Sequence, residues 1–221
     1  MNYFYFMENI TTPQQPIPQG PTAPTTETPT TPTPENKESM VSEIIRFSLI
    51  ALLIVLPIRL FIAQPFIVSG ASMETTFSTG QYLIIDQLSY HFEEPIRGDV
   101  IVFRYPKDPS KFFIKRIIGI PGDTVSINGS DVSLINTEHP EGILLKESYI
   151  HDMKPTATIT ETLGKDEYFV MGDNRDASSD SRAWGVLPKS NIVGRTFLRL
   201  FPITKIGIFP GAHNIMEGMT L

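Results

Sequence analysis

Residues 112–123 read "FFIKRIIGIPGD". The run is short, dense in Phe and Ile, and closed by Pro-Gly-Asp, which marks a β-strand that ends in a turn. Side chains alternate between the two faces of a strand. Phe113, Lys115 and Ile117 are therefore predicted on one face, with Lys115 pointing inward among apolar groups. Arg116 is predicted on the other face, toward water. Burial disfavours an ammonium and lowers the pKa of a lysine, which makes it usable as a base at neutral pH. The bland explanation is an edge strand whose lysine only discourages pairing with another chain. Composition alone leaves both readings open.

Working outward, residues 64–221 repeat the same texture. "FIVSG", "QYLIID", "DVIVFRY", "DTVSING", "DVSLI" and "EYFVMGD" are short runs of β-branched and aromatic residues bounded by Gly, Pro, Asp and Asn. No amphipathic helical run of comparable length intervenes. The fold class predicted for this region is mainly β, with antiparallel sheets folded over one another or closed into a barrel-like domain.

The N-terminal part differs. Residues 11–34 hold 8 Pro and 9 Thr, with Ile17 the single large apolar side chain. Such a segment cannot bury enough apolar surface to offset its chain entropy, so residues 1–43 are read as a disordered tail. Residues 44–63, "IIRFSLIALLIVLPIRLFIA", form an apolar run. As a helix it spans about 30 Å, the thickness of a bilayer core. Arg46 and Arg59 lie near its ends, within reach of headgroups. A soluble core helix or an interfacial helix would show a polar face, and none is present. A cleavable signal peptide does not follow more than 40 residues of chain. The run is read as a single transmembrane helix.

The formal net charge is −6, and residues 1–43 carry five Glu against one Lys. The remainder is nearly balanced, so no positive field exists to hold a nucleic-acid backbone. With no cysteine, disulfides, zinc-thiolate sites and thiol catalysis are excluded. Oligomeric state is not encoded in any pattern found.

Shortly after the apolar run stands "SGASMETTF", residues 69–77. A serine among small residues is ordinarily a turn; as a nucleophile, Ser72 needs a partner to take its proton. His91, His139, His151 and His213 all lie in polar, loop-like surroundings, none in a recognisable catalytic phrase. Lys115 is the one lysine with apolar neighbours. A third stretch, "MGDNRDASSDSRAWG" at residues 171–185, is rich in turn formers but runs from an apolar strand to the single Trp. A loop anchored at both ends can present fixed hydroxyls and charges, and Asp180 and Arg182 can pair to brace it.

Taken in order behind an apolar anchor, "SGASM", "RGDVIVFRYP…FFIKRIIGIPGD" and "MGDNRDASSDSRAWG" closely resemble bacterial type I signal peptidases, the membrane-anchored Ser-Lys proteases that process exported proteins. The resemblance implies that Ser72 is the nucleophile and Lys115 the general base. By the same resemblance, Ser178 hydrogen-bonds the lysine, Asp180 and Arg182 form a supporting ion pair, and the oxyanion site uses the Ser72 N–H and the position of Gly70. Phe66, Ile67 and Val68 would pair with an extended substrate, with Met73 and Phe113 near the pocket floor. No metal or cofactor is implied. The implied partners are secretory preproteins carrying Ala-x-Ala before the cut, and the lipid bilayer. The implied location is the cytoplasmic membrane, with the catalytic domain outside and the Pro/Thr tail inside.

Three positions depart from the family pattern. Met-x-Pro-Thr-Leu after the nucleophile is here Met73-Glu-Thr-Thr-Phe77, and Ala177 replaces a common asparagine. None removes a catalytic group. Two other readings keep the scaffold: a self-cleaving repressor, which would carry a DNA-binding domain instead of an anchor, and a non-catalytic membrane-anchored adaptor.

Overall fold

The computed structural model describes residues 40–57, 63–150, 154–213 and 215. The predicted disordered tail lies outside the described residues, except for the first turn of a helix. The chain divides into two units, Met1–Glu43 and Ile44–Leu221. Helix α1 (Met40–Pro57) is long and apolar enough to cross a membrane, and none of its side chains is buried. It starts four residues before the predicted span. Pro57, inside the predicted span, is its last described residue, and Ala63 already belongs to a strand.

The strands are β1 (Ala63–Ile67), β2 (Tyr82–Asp86), β3 (Val100–Tyr105), β4 (Asp108–Gly119), β5 (Thr124–Gly129), β6 (Asp131–Ile135) and β7 (Ile143–Leu144). They continue with β8 (Thr156–Thr162), β9 (Glu167–Met171), β10 (Leu187–Pro188), β11 (Ile192–Phe201) and β12 (Gly207–Ile208). A short helix, α2 (Ser181–Trp184), precedes β10. One sheet runs β1-β2-β11-β3-β4-β9-β10, with β12 beside β11, and the second runs β7-β6-β5-β8. Every pairing is antiparallel. The predicted class, mainly β with antiparallel sheets, is the observed one.

The first sheet is covered on both faces around β3 and β4. Val100 and Val102 pack with Met73, Phe77, Leu83 and Ile85, whereas Ile101 and Phe103 pack with Ile117, Tyr168 and Val170. That is why β3 reads as a continuous apolar run instead of an alternation. The same arrangement corrects the reading of Arg116. It does lie opposite Lys115, but it faces no water: its exposure is 0%. Its face of β4 is covered by Tyr149, whose ring lies 4.0 Å from the guanidinium carbon. A charge is retained there because Asp173 takes it in a two-point contact of 2.9 and 2.6 Å, while Gly98 and Gly211 offer carbonyls.

Candidate active site

β4 is an interior strand, paired with β3 on one side and β9 on the other. Lys115 pairs with Ile101 of β3 and stands one residue before the β9 pairing begins; at 4% exposure it is a buried lysine and not an exposed edge lysine. Its Nζ makes a 2.6 Å hydrogen bond with Ser72 Oγ and donates to the Ile114 carbonyl at 2.9 Å. Burial pulls the Lys115 pKa from 10.5 down to about 8, against the opposing pull of Asp180 and Asp173. None of the three described histidines, His91, His139 and His213, hydrogen-bonds Ser72, and His151 lies outside the described residues.

Ser72 sits on a turn just after β1. Its carbonyl accepts the Asn174 N–H at 3.0 Å, which ties the turn to the loop after β9. That approach is why residue 172 is glycine: a Cβ there would run into the Ser72 carbonyl and the Ser178 hydroxyl. The loop is braced as expected, with Arg182 gripping Asp180 at 2.8 and 2.9 Å and also donating to the Arg175 carbonyl at 2.7 Å. Asp180 is fully buried and additionally accepts the Gly172 N–H at 3.0 Å. Burial alone would raise its pKa, but Arg182 and the Gly172 N–H hold it below the usual carboxylate range. Arg175 is fastened to Glu147 and to the Gly172 carbonyl.

Ser178 Oγ is buried against Gly172 and makes no hydrogen bond, to Lys115 or otherwise, among the described residues. Gly70 has φ +98, a conformation open to glycine, and its N–H is already taken by Thr79 Oγ1 at 3.1 Å. The Ser72 N–H has no partner among the described residues.

Ser72 and Lys115 belong to the lining of a groove of about 260 Å³. Phe66, Ile67 and Val68 form one wall and Phe112, Phe113 and Ile114 the other, so four of the five expected substrate-contacting residues meet here. Met73 is not among them; it is 1% exposed and packs in the core with Phe77 and Leu83. Phe112 was not foreseen from the sequence. Its ring meets Phe66 edge-on at 5.3 Å, and the guanidinium of Arg104 covers it at 4.8 Å. The alternation signal concentrates attention on Phe113, so only the opposing wall reveals its neighbour.

A mainly β chain with a buried lysine bonded to a turn serine has the make-up of a hydrolase, and the comparisons define which. The family model described as signal peptidase, peptidase S26, matches residues 41–201. The chain is 36% identical over 174 residues to a probable signal peptidase I-1 of Synechocystis sp., covering 76% of this chain and 86% of that one. It is 37% identical to a signal peptidase I of Leptolyngbya laminosa, covering 77% and 84%. With a signal peptidase I of Pseudomonas aeruginosa the identity is 32%, covering 73% and 72%. The chain belongs to the signal peptidase family, peptidase S26, and is a peptidase.

Proposed function

We propose that this chain is a membrane-anchored serine endopeptidase that removes signal peptides from secretory preproteins, with Ser72 as nucleophile and Lys115 as general base. The observation that carries this reading is the 2.6 Å contact between Ser72 Oγ and the buried Lys115 Nζ. With a pKa of about 8, about one lysine in ten is neutral at pH 7. That neutral amine accepts the Ser72 proton as Oγ attacks the scissile carbonyl. The ammonium then protonates the departing amine, the acyl-enzyme remains on Ser72, and water deprotonated by Lys115 releases the signal peptide. The free Ser72 N–H is one donor for the developing oxyanion, whereas the Gly70 N–H is bound to Thr79 Oγ1; such a donor contributes a few kcal/mol.

An extended substrate fits as a strand between β1 and β4, since among the described residues β1 pairs with β2 alone and its other edge is open. Alternate side chains then point into a groove crowded by Phe66, Val68 and Phe113, which favours small residues one and three positions before the cut. Asp180 and Arg182 hold the loop behind the lysine. Helix α1 is the anchor, with the catalytic domain outside the cytoplasmic membrane and the tail inside. Exposed Phe201, Ile203, Ile206 and Ile208 supply further apolar surface for the bilayer.

The test is cleavage of an Ala-x-Ala preprotein by the detergent-solubilised full chain. Cutting at the signal junction that is lost in both Ser72→Ala and Lys115→Met supports the reading. A folded wild-type protein that does not cut, or cutting that survives Ser72→Ala, overturns it.

A further inference from the structure

Behind the turn that carries Ser72 lies Arg199, from β11, only 8% exposed. Its Nη2 donates to the Thr76 carbonyl at 3.0 Å, and its guanidinium carbon sits 4.7 Å from the centre of the Phe77 ring. Its Nε has no hydrogen-bond partner among the described residues. Burial pushes its pKa down, and no carboxylate among the described residues counters that effect. An unpaired buried guanidinium is costly, and places where such a local rule fails are expected at functional or strained sites.

Thr76 is held from its other side as well. Its hydroxyl donates to Asp173 at 2.6 Å, and Asp173 is gripped by Arg116. Phe77 N–H reaches back to the Met73 carbonyl at 2.7 Å, so Met73 to Phe77 is one continuous turn starting next to Ser72. Within that turn, Thr75 leaves φ free where a proline ring would fix it. The restraint must then come from outside the turn. Phe77 offers a ring face for the cation, which a leucine would not.

We infer that Arg199 is a positioning residue for Ser72. Through the Thr76 carbonyl and the Phe77 ring it holds the turn so that Ser72 Oγ stays within reach of Lys115 Nζ. It thereby replaces the restraint that a proline at position 75 would build into the chain. This rests on the reading of Ser72 as the nucleophile, and displacement of a reacting group by about 1 Å costs up to about a hundredfold in rate.

The experiment uses the full chain in detergent with an Ala-x-Ala preprotein, and wild type is run first beside Ser72→Ala. Failure there counts against the proposed function, not against Arg199. Given a Ser72-dependent wild type, Arg199→Met is expected to lower kcat about tenfold or more with KM nearly unchanged. Arg199→Lys, which keeps the cation and one donor, is expected to recover part of the loss. Adding Thr75→Pro to Arg199→Met is expected to recover part as well, because Thr75 N–H makes no hydrogen bond among the described residues that a proline would remove. If Arg199→Met does not fold, Arg199→Lys with and without Thr75→Pro carries the same comparison. A folded variant with wild-type kcat, a loss confined to KM, or a kcat loss that neither lysine nor proline recovers overturns the inference.

Discussion

Replacing Lys115 by methionine is expected to make the protein more stable at neutral pH while abolishing cleavage. The side chains are similar in length, and the site is 4% exposed, so packing is largely retained. The folded-state pKa is about 8 against 10.5 for a free lysine. Each pKa unit is worth about 1.4 kcal/mol, which makes the burial penalty about 3.5 kcal/mol below pH 8, where both states carry the proton. Between pH 8 and 10.5 the unfolded chain still binds a proton that the folded chain has released. Wild-type stability therefore rises with pH across that window, and above it the penalty is gone. The methionine variant has no such dependence. Losing the hydrogen bonds to Ser72 and the Ile114 carbonyl costs about 1 kcal/mol each at every pH, leaving a net gain of about 1.5 kcal/mol at pH 7. The advantage should reverse by pH 10.5, where the lost bonds dominate. Thermal unfolding of both proteins in detergent, at pH 7 and 10.5, reads this as a change in the difference between their Tm values of about 10 °C, taking about 3 °C per kcal/mol. A difference that stays flat between the two pH values refutes the argument that the amine is held dry.

The same lysine sets the rate profile: kcat/KM should climb about tenfold per pH unit below about 8 and level off above it, since only the neutral amine accepts a proton; a profile flat from pH 6 to 9 contradicts a lysine base. Arg116→Met strands the buried Asp173 carboxylate and should cost about 3–5 kcal/mol in urea unfolding, with part returned when Asp173→Asn is added. Phe112→Ala removes the ring that meets Phe66 across the groove. It should raise the kcat/KM of a preprotein with leucine three residues before the cut, relative to alanine there, by about tenfold. An unchanged ratio means that Phe112 takes no part in selection.

Much of the candidate site could be read in the chain itself. The two-residue period of "FFIKRIIGI" places Lys115 on an apolar face, and "SGASM" supplies a serine on a turn. The Asp180–Arg182 brace is also a local matter, two residues apart at the start of α2. Seven of the strands announce themselves as short apolar runs between turn formers. β11 does not: Gly194, Arg195 and Arg199 interrupt its apolar residues, yet it lies between β2 and β3. A strand's rank in a sheet depends on partners distant in sequence, which no window around it contains.

What the sequence by itself determined was the mainly β class, the apolar segment and the residue types that could meet as nucleophile and base, because periodicity and turn chemistry are properties of neighbouring residues. Only the tertiary structure decided that Lys115 is buried, that Arg116 is buried against Asp173 and Tyr149, that Met73 is core and not groove, and that Arg199 stands behind the nucleophile turn. Each of these depends on which layer covers a given face. That is settled by contacts between segments up to 123 residues apart, as between Thr76 and Arg199, where burial and pairing are set by the whole fold.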